Sequence, residues 1–215
     1  EATKWARMAA IGIVELCALR RAEALPDHTD VDELHMRLSG RIVVSLAKES
    51  CVPCWGVSPG PEGHVAFAWN GPDGRNWDIY VQFVGAAAPL RLTDDPARDN
   101  SPAWSPDGRY VAFIRHVAGG CEVLRVPVLG GPARRLASCA GNTYADLTWS
   151  PDGRWLVFSQ RDTTTGVFAL VAVPAAGGGP VRRLTRPPPG VWGDHDAAFS
   201  PDGARVAFTR SASEG

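Results

Sequence analysis

The chain has 215 residues, 45% apolar and 21% charged, which is enough for one large or two small domains with a sizeable core. Its 22 basic and 23 acidic residues leave a net charge of −1 with no block of one sign, which argues against a nucleic-acid groove or an anionic membrane surface as partner. The 23 Gly and 18 Pro recur between apolar runs as turn punctuation, so many short strands are predicted.

The first 40 residues read as a helical and linker segment. The sequence starts at Glu1 without a Met, so a fragment or a processed product is expected. MAAIGIVELCAL (8–19) contains Glu15 and runs into Arg20-Arg21, too short and too polar to insert in a membrane, and no small-residue cleavage site follows it. A surface or partner-docking helix is expected there. RIVVSLA (41–47) then reads as an outermost strand able to close a ring onto the last blade.

Residues 51–60, CVPCWGVSPG, hold Cys51-x-x-Cys54 and Gly56-x-Ser58-x-Gly60, the spacings of a redox or metal pair and of a hydrolase nucleophile elbow. The second is undone by Pro59, because an elbow needs the N–H after its Ser and proline has none. The first has no following helix to lower a thiolate pKa and no nearby Cys or His pair to complete a zinc site. Five cysteines, at 17, 51, 54, 121 and 139, are odd in number and scattered, so a disulfide framework is not expected; whether Cys51 and Cys54 pair stays open.

From there the chain repeats. PAWSPDGRYVAFIR (102–115), LTWSPDGRWLVFSQ (147–160) and AAFSPDGARVAFTR (197–210) set Trp104, Trp149 and Phe199 in register, at intervals of 149 − 104 = 45 and 199 − 149 = 50. A second marker, Leu92, Leu136 and Leu184 after one or two Arg, keeps the same order. Four apolar runs per unit of this length are the signature of a four-stranded propeller blade. The predicted fold is therefore all-β: a partial propeller over 41–215, with antiparallel blades at 54–93, 102–137 and 146–185 and the first hairpin of a fourth at 196–210. GVSPGPEG is a worn first copy of the turn.

The turn residues are Ser105-Pro106-Asp107-Gly108, Ser150-Pro151-Asp152-Gly153 and Ser200-Pro201-Asp202-Gly203. Pro fixes φ at the second turn position, Asp suits the third, and Gly accepts the left-handed conformation. Trp104, Trp149 and Phe199 are expected to pack between blades, and the alternation of Tyr110, Ala112 and Ile114 with Val111 and Phe113 to face the two neighbouring sheets.

These units resemble the PD-type repeats of the TolB-like propeller superfamily, a relative of WD-type propellers, over residues 41–210. FAWNGPDGRNWDIYVQFVG followed by LRLTDDPARDNSPAWSPDGRYVAFIR is similar to the C-terminal propeller of bacterial membrane-anchored serine/threonine kinases and winged-helix regulators. That resemblance implies an extracytoplasmic or periplasmic sensor or interaction domain of a larger signalling protein. Kinase catalytic motifs and a winged-helix segment are absent from these 215 residues, so no effector carries over. A rival implication is the accessory propeller of a prolyl-oligopeptidase-type peptidase.

The expected function is non-catalytic binding of a protein or peptide, with no catalytic residue, metal or cofactor. Loops that enter the inner strands would share one face around the central channel, and they bring Asp99, Asn100, Tyr144, Asp146, Trp192, Asp194, His195 and Asp196 to its mouth. Polar groups mixed with aromatics suit such contact. The most site-like cluster is Asp194-His195-Asp196, where a His between carboxylates could bind a metal or move a proton. But Asp99-Asn100 and Asp146 take comparable loop positions, and capping of strands and turns is the role expected of all three. The remaining blades of the parent chain are the other expected partner.

Overall fold

Period-two apolar alternation cut by Ser-Pro-Asp-Gly gives strands joined by tight hairpins, and a computed structural model shows how they stack. It describes residues 34–38, 42–46, 55–71, 74–83, 86–140 and 143–212. Blade 1 is β3 (Trp55–Pro59), β4 (Val65–Trp69), β5 (Asp78–Gln82) and β6 (Leu90–Arg91), after the hairpin of β1 (Leu34–Leu38) and β2 (Ile42–Leu46). Blade 2 is β7 (Asp99–Trp104), β8 (Tyr110–Val117), β9 (Gly120–Pro127) and β10 (Arg134–Ala140). Blade 3 is β11 (Thr143–Trp149), β12 (Trp155–Arg161), β13 (Phe168–Pro174) and β14 (Arg182–Arg183), and blade 4 begins with β15 (Val191–Phe199) and β16 (Val206–Ala212). Within each blade the strands pair antiparallel in sequence order; one parallel bridge, Phe168 to Gly193, joins blades 3 and 4.

The strand expected at 41–47 is present as β2, but it pairs with β1 in a two-stranded sheet of its own. The physical reason lies in LHMRL, where Leu34, Met36 and Leu38 alternate with His35 and Arg37 at strand period, inside a segment expected to be helix or linker. The expected helix at 8–19 and the pair Cys51 and Cys54 lie outside the described residues.

The repeated turn is a wired box. Gly108 N–H donates to the Ser105 carbonyl at 2.9 Å, with Pro106 and Asp107 at the turn's centre and Gly108 at φ 71°. The Ser105 hydroxyl donates to the Asp107 carboxylate (2.6 Å) and accepts the Tyr110 N–H (2.9 Å), while Asp107 accepts the Arg109 N–H (3.1 Å) and guanidinium (2.7 Å). The same bonds recur around Ser150, Asp152 and Arg154. Around Ser200 and Asp202 the guanidinium is lost because Ala204 replaces the Arg.

Between blades the inner-strand aromatics fill the core as expected. Trp104 packs with Ala66, Ile79 and Val81 of blade 1; Trp149 with Ala103, Ile114 and Val123 of blade 2; Phe199 with Val157 and Leu170 of blade 3. Val111 and Phe113 face blade 1 while Ala112 and Ile114 face blade 3, all fully buried. Each such Phe or Ile contributes roughly 1.5–3 kcal/mol relative to exposure. Ser58 is a structural acceptor here, taking the Trp104 N–H at 2.9 Å. Gly60 leaves room for the indole, since a Cβ there would stand 2.5 Å from Trp104 Cδ2.

The outer strands differ in length for a readable reason. In blades 1 and 3 the Leu marker is followed by Thr, and the hydroxyls of Thr93 and Thr185 accept the Ile79 and Leu170 N–H groups at 2.9 and 3.0 Å. The side chain replaces the ladder, and β6 and β14 stop after two residues. Blade 2 has Ala137 instead, so β10 continues past a bulge through seven residues. There Cys139 stands opposite Cys121 on β9 with Cα atoms 4.9 Å apart, and the two form a disulfide. This corrects the expectation from scattered spacing: register across a hairpin, not sequence interval, brought them together.

Two expectations follow. Gly60→Ala should force Trp104 out of place, lowering stability by about 1–3 kcal/mol in urea unfolding; an unchanged midpoint would refute the contact. For Asp107, partial burial is outweighed by the Ser105 and Arg109 bonds, and for Asp152 the Ser150 hydroxyl and Arg154 dominate, holding both at about 2 against an ordinary 3.8. A depressed folded pKa gives stability that is present above about pH 4 and lost as pH falls toward 2. The melting temperature should therefore drop more between those values in the wild type than in an Asp107→Asn, Asp152→Asn variant.

Candidate functional site

The inner strands start earlier than the sequence suggested. Residues expected in loops at 99–100, 143–146 and 191–196 lie inside β7, β11 and β15, because a bulge in each strand lets pairing continue through polar residues. At the start of β7, Asp99 is paired with Arg115 on β8, and at the same place in blade 4 Asp194 is paired with Arg210 on β16. Both carboxylates are fully buried. Arg115 forks onto Asp99 at 2.8 Å and 2.8 Å and reaches Asp95 at 2.7 Å; Arg210 forks onto Asp194 at 2.6 and 2.9 Å.

The electrostatics of the two pairs differ. Burial pushes the Asp99 carboxyl up, opposed by the hydrogen bonds from Arg115, while Asp99 raises Arg115 in turn. These directions pull the proton opposite ways, and the bidentate fork settles it as an ion pair, because a guanidinium has no accessible neutral form. At Asp194 burial also opposes ionisation, but Arg210 outweighs it and holds the carboxyl below its ordinary value. Blade 3 carries Tyr144 and Gln160 at these two repeat positions, so it has no such pair.

Two residues further on, Ser101 and Asp196 occupy equivalent bulge positions, both at φ 53°. In blade 4 the bulge brings three side chains into line: the His195 ring lies 2.7 Å from Asp196 Oδ2 through Nδ1 and 2.7 Å from Ser211 Oγ through Nε2. The distances match a Ser-His-Asp relay, but the chemistry does not. The Asp of a relay is buried to hold an imidazolium, whereas the Asp196 side chain is 52% exposed. The equivalent positions in blade 2 hold Asn100, Ser101 and His116; there the Ser101 hydroxyl donates to Asn100 Oδ1 at 3.3 Å, and the buried His116 Nε2 has no hydrogen-bond partner among the described residues. Burial, and then the charge of Arg98, lower the His116 pKa. The arrangement is a polar clamp on the strand.

Of the predicted mouth residues, Asp99, Asn100, Asp194 and His195 are buried, and Asp196 is exposed. Trp192 is half-buried, its ring 4.7 Å from Phe168 and 5.0 Å from His195. Tyr144 lies on β11 opposite Ser159, and Asp146 is on the same strand within its bulge; their side chains are outside the described set. Sequence reading missed Arg115, Arg210 and Ser211. The available signal was the Arg seven residues after the turn Gly in units 2 and 4, facing an Asp five residues before the aromatic. Among the described residues no group of three His, Cys, Asp or Glu could hold a metal, and no helix is long and apolar enough to cross a membrane.

Removing one partner of the blade 2 pair should be costly. Asp99→Asn leaves Arg115, only 13% exposed, without its fork, and should destabilise by about 3 kcal/mol or more in a denaturant series. Adding Arg115→Met should recover part of that loss; additive losses would refute the coupling.

A family model of the TolB beta propeller domain matches residues 37–215. The Tol-Pal system protein TolB of Bordetella pertussis is 39% identical over 116 residues, 54% of this chain and 25% of that protein. An uncharacterised protein of Agrobacterium fabrum is 31% identical over 84 residues, 34% of this chain and 29% of that protein. The chain thus matches between 25% and 29% of the length of these curated relatives. Among solved structures, TolB from Acinetobacter baumannii aligns with a TM-score of 0.65 at 20% identity, over 82% of this chain and 42% of that one. A prolyl endopeptidase aligns with a TM-score of 0.52 at 15% identity, over 73% of this chain and 26% of that one, a likeness of fold alone. With four-stranded blades, the repeated turn and a match across most of its length, the chain belongs to the TolB beta propeller domain family.

Proposed function

We propose that this propeller is a non-catalytic module that binds a protein or peptide at the channel mouth, as the sensor or interaction arm of a larger bacterial signalling protein. On this reading the parent is a membrane-anchored serine/threonine kinase or a winged-helix regulator. The observation that carries the reading is the division of labour at the strand starts. Asp99–Arg115 and Asp194–Arg210 are consumed in holding the inner strands, and they leave a rigid rim of mixed chemistry. That rim includes exposed Asp196, half-buried Trp192 and exposed Arg98, whose guanidinium lies 5.2 Å from the Trp77 ring centroid. An indole and a guanidinium on a fixed frame are the residue types that dominate binding energy at protein contacts.

Two further observations support parts of the reading. The Bordetella relative is named as a protein of the Tol-Pal system, which supports a protein partner. The disulfide between Cys121 and Cys139 supports an oxidising, extracytoplasmic compartment.

A photo-crosslinking residue placed at Trp192 or Asp196 should capture a discrete partner in cells, and one at Leu129, exposed at the far end of the blade, should not. Trp192→Ala with Asp196→Ala should weaken the captured interaction by about tenfold or more. Equal capture from both ends of the blades would overturn the assignment of the mouth. Peptidase activity of the purified chain would overturn the non-catalytic claim.

A further inference from the structure

At the opposite end of the inner strands a turn Gly meets a Pro of the blade before at two junctions, Pro61 in blade 1, two residues past the repeat position, and Pro151 at that position in blade 3. A Cβ on Gly108 would stand 2.8 Å from Pro61, and one on Gly203 would stand 3.6 Å from Pro151. Between blades 2 and 3 the contact is missing. Pro106 holds the repeat position of Pro151, yet nothing lies within 4 Å of a Cβ on Gly153. The two turns are parted, and a cleft of about 560 Å³ opens between them, its walls including Pro106, Tyr110, Arg125, Trp149, Pro151 and Gly153.

The charges of the cleft are unevenly satisfied. Asp107 and Asp152 are each held by their own turn arginine, Arg109 and Arg154. Arg125 has no carboxylate partner among the described residues; its guanidinium lies 4.5 Å from the Tyr110 ring centroid. Arg134 stands directly opposite it on the neighbouring strand, again with no acidic partner among the described residues. Like charges at directly opposed positions destabilise a sheet. A second guanidinium, that of Arg109, lies 6.0 Å from the same ring. Of the charged side chains that line the cleft, Arg125 is thus the one without an opposite charge among the described residues, and it stands beside flat proline and aromatic surfaces.

We propose that this cleft binds a carboxylate of an acidic, proline-containing peptide segment of a partner protein. The planar fork of Arg125, stacked on Tyr110, matches a carboxylate with two parallel hydrogen bonds. Pro106, Pro151 and Tyr110 supply the flat walls against which an extended peptide lies. Asp107 and Asp152, which also line the cleft, repel a doubly charged phosphate more than a single carboxylate, so the preferred anion is the carboxylate. The site is separate from the channel mouth: six residues of β7 at about 3.3 Å each put it about 20 Å away, and it stands whether or not the mouth binds anything.

The test is calorimetric titration of the purified chain with an acetylated, amidated Glu-Pro-Glu-Pro-Glu peptide, its Gln-Pro-Gln-Pro-Gln counterpart and inorganic phosphate. The Glu peptide should bind, and the Gln peptide should bind about tenfold more weakly or not at all. Arg125→Gln should weaken the Glu peptide by about tenfold, and Arg125→Lys should not restore it. Arg134→Glu, at an exposed position, supplies an internal carboxylate to Arg125 and should cause the same loss without touching the cleft's walls. Arg182→Gln, which removes the equivalent stacking on Trp155 outside the cleft, should leave binding unchanged. Equal binding of both peptides, or unchanged binding in Arg125→Gln and Arg134→Glu, overturns the proposal. Phosphate competing as tightly as the peptide overturns the carboxylate and peptide assignment.

Discussion

The seating of one inner-strand aromatic on the blade before it is the contact on which everything else depends. A four-stranded blade has two faces to bury, and neither is covered from within the blade. Trp104 enters the space over Gly60, and Trp149 does the same one blade later, donating its indole N–H to the Ala103 carbonyl at 2.9 Å. Each aromatic therefore fixes the rotation of its own blade against its predecessor by shape and, in blade 3, by a hydrogen bond. Stability is passed from neighbour to neighbour, as expected of a repeat protein, rather than pooled in one central core.

That arrangement leaves both ends of the inner strands free for other work, and they are handled differently. At one end buried Asp–Arg forks and bulges absorb polar side chains into the frame. At the other, the Ser-Pro-Asp-Gly boxes are self-satisfied units that need nothing from each other except one Gly–Pro contact. Where this contact fails, space opens without loss of the turn, because every hydrogen bond of the box is internal to it. A chain of self-contained turns can therefore vary its clefts blade by blade.

Much of the fold was legible because its determinants are local and repeated. Spacing of Trp104, Trp149 and Phe199 set the blades, and strand alternation assigned Val111 and Phe113 to one neighbour and Ala112 and Ile114 to the other. The mouth was less legible. Asp99 and Asp194 look like loop residues because Asp is a poor strand former, and only pairing with Arg115 and Arg210 across the hairpin keeps them in strand. The disulfide was hidden for the same reason, since register across β9 and β10 depends on Ala137 standing where the other blades have Thr. Ser58 was legible as part of a turn but not as the acceptor of the Trp104 N–H, a contact between blades that no local pattern encodes.

The link between Cys121 and Cys139 also changes how the chain behaves as a cord under tension. It bridges a sequence separation of 18, so a pull applied through both ends bypasses that loop. About 60 Å of contour is withheld from extension at roughly 3.4 Å per residue. Blades 1 and 3, with two-residue outer strands and no covalent tie among the described residues, can unravel completely. Blade 2 keeps its outer hairpin as a closed loop, a fixed point from which the neighbouring blades can be laid down again.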